Sequence, residues 1–269
     1  MSDDIYEVYA LAYARTDRNA ADNFIGGDPH NGPMPLNYYV WVIRNPARTI
    51  VLDTGFDEKG AAKRGRRITH PVGDCLRALS IDPAGVSDVI VSHMHYDHCG
   101  NNGLFPNARF HVQDAEIAYA TGRCMCHHQM RHPFELDDVV AMVTRVYSDK
   151  VCFHQGTSEP FPGITLHHLG GHSRGLQAVR VKTRRGYVML ASDGAHHYEH
   201  LRSRRVFPVV DSVSDVLEGY DTIERLATSP SHVIPGHDPL VASLFPPAAP
   251  NLAEWIVRLD VEPTRMPGT

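Results

Sequence analysis

The chain has 269 residues, a net charge of −5 with histidine counted neutral, 42% hydrophobic and 21% charged residues. That is enough to bury a large core, and it is the balance of a globular rather than a disordered protein. It excludes a basic nucleic-acid binder, since the short runs Lys63–Arg67 and Arg202–Arg205 read as solvated faces.

In chain order, Ile5–Ala14 reads as a strand, and the Gly-, Pro-, Asn- and Asp-rich segment Arg18–Pro35 as a long loop. Leu36–Arg44 and Thr49–Leu52 read as two strands around a turn at Asn45-Pro46. Asp53-Thr54-Gly55 ends the second strand. Val72–Leu79 has helical spacing. The β-branched run Val89–Val91 reads as a strand buried on both faces. Beyond it, Ala108–Val112 is an expected strand and Asp114–Ala120 a helix. Asp137–Tyr147 is a second helix, with Val139, Val140, Val143 and Val146 on one face. Ile164–Leu169, Leu176–Thr183 and Tyr187–Ser192 are strands, the last two joined by a turn at Arg184-Arg185-Gly186. Ser214–Ala227 is an amphipathic helix that Ser214 can cap, and His232–Ile234 is a short strand before Pro235-Gly236. Periodicity alone implies sheets covered by helices, either α/β or α+β.

No stretch approaches the ~18 apolar residues of a membrane span. The segment Met1–Ala10 lacks the basic and apolar regions of a secretory signal. Five cysteines (Cys75, Cys99, Cys124, Cys126 and Cys152) fit no disulfide framework. A cytoplasmic protein is expected, without membrane or nucleic-acid partners.

The 18 histidines are numerous, and their spacing carries the chemistry. In Ser92-His93-Met94-His95-Tyr96-Asp97-His98, four candidate metal ligands follow a buried strand. In extended backbone His93 and His95 point to the same side and can grip one ion. Asp97 and His98, past the bend, suit a second. His172 follows Gly170-Gly171 at the end of one strand, and Asp193 ends another. The hairpin between them folds its outer ends together, so the two should meet at one sheet edge. His237, in Pro235-Gly236-His237-Asp238, completes five imidazoles and two carboxylates, close to what two divalent ions need while leaving room for solvent.

This pattern resembles the metallo-β-lactamase superfold, over roughly residues 36 to 240. Val51-Leu52-Asp53-Thr54-Gly55 is similar to that family's first motif. The resemblance implies an α+β fold, a four-layer αβ/βα sandwich of two mixed β-sheets flanked by helices, taken as one domain over residues 1–269. It implies that His93, His95 and His172 hold one ion, that Asp97, His98 and His237 hold the other, that Asp193 bridges them, and that Asp53 orients a ligand from behind. Zinc is expected, with manganese, cobalt or iron acceptable to the mixed N/O donors. Within the superfold the chain most resembles the N-acyl-homoserine lactonases. The expected activity is therefore opening of a lactone or related cyclic ester by a hydroxide shared between the ions, with Asp97 relaying the proton to the leaving group. Where those lactonases carry a Tyr three residues after the bridging Asp, this chain has His196. His196 or Tyr198 could supply the donor to the oxyanion. Another hydrolase of the superfold, such as a thioesterase or cyclic-amide hydrolase, is the alternative. A non-catalytic binding protein is the distant one.

Cys124-Met125-Cys126-His127-His128-Gln129-Met130-Arg131-His132 matches no closed zinc spacing and reads as a loop or short helix over the site. Met125 and His128 are its candidate substrate contacts, with Phe24, Ile25 and Met34 of the early loop as the facing wall and Tyr198 a further candidate contact. The expected partner is a small-molecule lactone or ester, and a homodimer is left open.

Overall fold

The computed structural model describes residues 4–253 and 255–265. Met1–Asp3, at the head of the segment read above for a signal, lie outside them. The strands are β1 Glu7–Thr16, β2 Leu36–Asn45, β3 Arg48–Leu52, β4 Arg67–Ile68, β5 Asp88–Ile90, β6 Arg109–Gln113, β7 Val151–His154, β8 Ser158–Phe161, β9 Ile164–His168, β10 Gln177–Thr183, β11 Gly186–Ser192, β12 Val233–Pro235 and β13 Ile256–Arg258. They form two sheets. The first runs β13-β1-β2-β3-β5-β6-β7, with β4 against β1; the second runs β12-β11-β10-β9-β8. Both are mixed: β3, β5, β6 and β7 are parallel, as are β11 and β12, and the other pairs are antiparallel.

Strand alternation explains the layering. In β1, Val8, Ala10 and Ala12 face one way and Tyr9, Leu11 and Tyr13 the other, and all are buried. The first set joins Trp41, Ile50, Leu166, Val181, Val188 and Leu190 in a core between the sheets. The second joins Val72, Leu76, Tyr119, Val139 and Met142 beneath the helices Val72–Ala78, Asp114–Ala120 and Leu136–Tyr147. On the far side, Ala178, Met189 and Ala191 of β10 and β11 meet Val216, Tyr220 and Ile223 of the helix Val213–Leu226. Three cores separate four layers: helix, sheet, sheet, helix. Each wholly buried Val, Leu or Ile contributes roughly 1.5–3 kcal/mol, so the sandwich is held chiefly by these apolar interleaves.

Two details depart from the sequence reading. The long helix begins at Leu136, and its buried stripe passes through Val139 and Met142, while Val140 is 54% exposed. The helix Val213–Leu226 is capped by Ser212, whose side chain accepts from Asp215 N, and not by Ser214. With two serines two residues apart, which one caps depends on where the preceding loop lands.

Candidate metal centre

The strand directions decide where ligands can gather. β10 is antiparallel to both β9 and β11, and β12 is parallel to β11, so β9, β11 and β12 all end at the same edge. His172, Asp193 and His237 follow those three ends. β3 and β5 are likewise parallel and end in Asp53 and in the His93–His98 turn. Glycine makes the turns passable. Gly171 has φ +80°, and a Cβ there would lie 2.7 Å from Val216 N. A Cβ on Gly236 would lie 2.5 Å from Ser192 O. Asp53 (φ +64°) and Ser192 (φ +46°) hold left-handed backbone without being glycine. Such strain persists where its surroundings over-determine it, and it gathers at functional sites.

The structure brings all seven expected ligands together, every one buried. The ligand atoms of His93, His95 and His172 form one compact group, and those of Asp97, His98 and His237 another. Asp193 lies between the groups. Its Oδ2 is 3.1 Å from His172 Nε2 and 3.9 Å from His93 Nε2; its Oδ1 is 3.2 Å from His98 Nε2 and 3.0 Å from His237 Nε2. One carboxylate oxygen thus faces each group. Asp97 Oδ2 stands 3.7 Å from His98 Nε2 and 3.8 Å from His237 Nε2.

Hydrogen bonds behind the rings fix which nitrogen points inward. His172 Nδ1 donates to Val209 O (2.7 Å), His237 Nδ1 to Asn37 O (2.9 Å) and His98 Nδ1 to Asp53 Oδ2 (2.7 Å). Those oxygens can only accept, so each neutral ring turns an Nε2 lone pair to the centre. The Nε2 atoms of His93, His98 and His172 and the Oδ1 of Asp193 are buried without a hydrogen-bond partner. Lone pairs facing carboxylate oxygens at about 3 Å repel one another unless a cation sits among them, and orphaned buried polar atoms are costly. The donor set therefore fits divalent metal, and without metal it must take up protons.

The electrostatics agree. Burial, reinforced by neighbouring imidazoles, holds His93 and His95 well below the usual histidine range. Burial pulls His98 and His237 the same way, but Asp193 and Asp97, with Asp53 for His98, outweigh it and raise both. Burial also opposes the charge on Asp193, yet His237, His98, His196 and His172 hold its carboxyl well below the usual range.

Several positioning residues carried no signal in the sequence. Asp53, expected, is anchored by Ser92 N (2.7 Å) and Ser92 Oγ (2.8 Å) and approached by Ser192 Oγ (3.3 Å). Neither serine was foreseen. Glu116 is wholly buried and accepts from Met94 N (2.8 Å), Ser173 Oγ (2.8 Å) and Gly175 N (2.9 Å), tying the His93 turn to the His172 loop. In sequence it is one acid on an ordinary helix. Tyr13 Oη donates to Asp97 O (3.0 Å) from the centre of β1.

The expected substrate contacts do not gather in one place. His196 is at the centre: it stacks on Phe207 (3.8 Å, 9°), and its Nε2 lies 3.0 Å from Asp193 Oδ2. Burial keeps its imidazole well below the usual range despite the adjacent carboxylate. His128 lines a cavity of about 300 Å³ with His95, His172, Tyr119, Met130 and Val209. The Cys124–His132 segment, a 3₁₀ turn Arg123–Cys126 and a short helix His128–Arg131, therefore borders the centre. Met125 packs against the core beneath the first sheet's helices and, with His128, lines a further cavity of about 620 Å³. Met34 and Tyr198 line a separate cavity of about 740 Å³ that touches none of the seven ligands. Phe24 packs on His200 and Arg205. Cys99 is an inert packing thiol, pushed up to about 12 by burial.

Residues 33–237 match the family model described as the metallo-beta-lactamase superfamily. An N-acyl homoserine lactonase of Bacillus sp is 25% identical over 194 residues, covering 66% of this chain and 72% of the relative. N-acyl homoserine lactonase AttM of Rhizobium johnstonii is 29% identical over 182 residues, covering 64% and 65%. Among solved structures, a quorum-quenching N-acyl homoserine lactone lactonase superposes with a TM-score of 0.71 at 21% identity, over 88% of this chain and 94% of its own. AidC, described as a dizinc quorum-quenching lactonase, does so with 0.65 at 14% identity, over 86% of each.

Proposed function

The chain belongs to the metallo-beta-lactamase superfamily, and from that premise we propose that it is a dinuclear metal-dependent hydrolase that opens lactones, N-acyl-homoserine lactones or related cyclic esters. The observation that carries the reading is Asp193, with one carboxylate oxygen turned to each of two ligand groups whose imidazole lone pairs face inward. His93, His95 and His172 would hold one ion, Asp97, His98 and His237 the other, and Asp193 both. The imidazole-rich set favours zinc. Bound there, the ions would bring the pKa of a water towards neutrality and polarise a carbonyl.

The chain's own residues supply the rest. The Asp53, Val209 and Asn37 contacts hold three imidazoles in one tautomer, so no reorganisation is needed during turnover. Asp97, with the most exposed side chain among the ligands in these ion pairs, stands at the rim. Its carboxylate can carry a proton to a departing alkoxide. His196 reaches Asp193 Oδ2 through Nε2, and a substrate carbonyl lying across Asp193 would find that N–H within reach. His196 takes the place of the lactonase Tyr. Tyr198 lines the other cavity and is the weaker candidate for this donor. The cavity bordered by His128 and Met130 suits an apolar acyl group.

The test is a lactone panel read with a pH indicator on zinc-loaded protein, with a thioester and a β-lactam alongside. Ring opening of N-acyl-homoserine lactones is the expected result. Turnover of the thioester or β-lactam with none of any lactone would overturn the substrate class.

A further inference from the structure

A second cluster of ligand-type side chains lies where the chain crosses from one sheet to the other. β7 is the edge strand of the first sheet, and β8, at the edge of the second, follows it after a three-residue turn. In the β6–β7 register His111 stands opposite Cys152, and His154 lies two residues further along β7. On one face of the pleat this places His111, Cys152 and His154 side by side, and their ligand atoms lie within 4.8 Å of one another. The two histidines are buried; Cys152 is half-buried and free, on the open edge.

The outer ring nitrogens are held as metal-binding imidazoles usually are. His111 Nε2 donates to Asp88 Oδ1 (3.1 Å), and His154 Nδ1 contacts Ser158 Oγ (2.8 Å). The inner nitrogens, His111 Nδ1 and His154 Nε2, face each other at 3.0 Å. With Asp88 accepting from His111 Nε2–H, His111 Nδ1 is an acceptor and His154 Nε2–H donates to it; a metal ion would take that proton's place once His154 carries its hydrogen on Nδ1, facing Ser158 Oγ. Around a tetrahedral zinc, N/S donors stand about 3.3–3.6 Å apart, so only a few tenths of an ångström of opening separates the two nitrogens from that geometry.

We propose that His111, Cys152 and His154 form a zinc site distinct from the His93–His237 centre, with solvent as the fourth ligand, tying the edge strand β7 to β6 just before the chain crosses to the second sheet. Two imidazoles and a thiolate suit zinc(II); binding displaces the thiol proton, while the proton between the rings moves to His154 Nδ1, where Ser158 Oγ can accept it, so both imidazoles stay neutral. Nothing in this site is shared with the proposed hydrolytic centre, which contains no thiol.

The experiment is cobalt(II) substitution of the full-length protein. A thiolate ligand gives a near-ultraviolet sulfur-to-cobalt charge-transfer absorption that the His/Asp centre cannot produce. The wild type is expected to show it, Cys152→Ser to lose it, and a Cys124→Ser/Cys126→Ser double variant to keep it. Total tightly bound zinc should fall by one equivalent in Cys152→Ser. A measurement that needs no variant is alkylation of the wild type mapped by mass spectrometry, in which zinc should slow modification of Cys152 at least tenfold. No charge-transfer band in the wild type, a band that survives Cys152→Ser, or alkylation of Cys152 at the same rate with and without zinc would each overturn the proposal. Lactonase activity has no bearing on any of these outcomes.

Discussion

Asp53→Asn isolates the tautomer argument. The wild-type carboxylate accepts from Ser92 N through Oδ1, and from Ser92 Oγ and His98 Nδ1 through Oδ2. Asparagine keeps the shape. With its oxygen towards Ser92 N, its NH₂ stands where Oδ2 was, 2.7 Å from His98 Nδ1. That nitrogen must then accept, so the His98 proton moves to Nε2 and points into the metal centre in place of a lone pair. Loss of such an orienting partner lowers metal affinity about 10- to 100-fold, or about 1.4–2.7 kcal/mol. Ser192→Ala is the control. It removes the hydroxyl's contacts to Asp53 Oδ2 (3.3 Å), Ser92 Oγ (2.9 Å) and His98 Nδ1 (3.4 Å) but leaves the shorter His98 Nδ1–Asp53 Oδ2 bond (2.7 Å) that sets the tautomer, so affinity should stay within about fivefold. Zinc affinity would be read by competition with a chromogenic chelator, at a temperature where melting of the metal-free form shows each variant folded. Asp53→Asn binding zinc as tightly as wild type would refute the claim that Asp53 sets the tautomer.

Asp97→Asn, saturated with zinc until its metal content equals that of wild type, should lose about 10²–10⁴ in kcat on a lactone; unchanged kcat at full loading would remove Asp97 from proton transfer. Glu116→Ala strands Met94 N–H, Gly175 N–H and the Ser173 hydroxyl. At about 1–3 kcal/mol for each unpaired buried donor, urea unfolding of the metal-free form should show a loss of at least about 3 kcal/mol, and a loss below about 1 would mean the loops hold without it. His200 is wholly buried, donates through Nε2 to Asn23 O and accepts from His197 N, and burial lowers its pKa from 6.5 to about 3. The unfolded chain therefore binds the extra proton between those values, and stability is full above pH 6.5 and falls as pH drops towards 3. By pH 5 this one group accounts for about 2 kcal/mol. In His200→Gln, which does not titrate, unfolding free energy should fall that much less between pH 7 and 5; parallel curves for the two metal-free proteins would exclude His200 as the source.

The seven residues that gather at the candidate metal centre were legible because each follows a strand end that local pattern marks: Val89–Val91 before the His93 turn, Gly170-Gly171 before His172, Gly236 before His237. The hairpin argument for His172 and Asp193 needed only that β10 and β11 be consecutive and antiparallel, as they are. What local pattern could not reach depends on pairing between distant segments. β13 lies on β1 across most of the chain, and its three residues carry no periodicity of their own. β7 and β8 are short edge strands with partly exposed faces, so neither alternation nor a long apolar run distinguishes them from loop. The same blindness applied to chemistry. Glu116, Ser92 and Ser192 look like ordinary polar residues until the sheets close over them, and His111, Cys152 and His154 fall 43 positions apart or less without any ligand spacing along the chain. Only the β6–β7 register makes them neighbours. A motif search reads ligands that share a turn, whereas sites assembled across a sheet are written in strand order. For this fold the proposed hydrolytic centre belongs to the first kind in its His93–His98 turn and to the second in Asp193, which meets His172 and His237 because β9, β11 and β12 end at one edge.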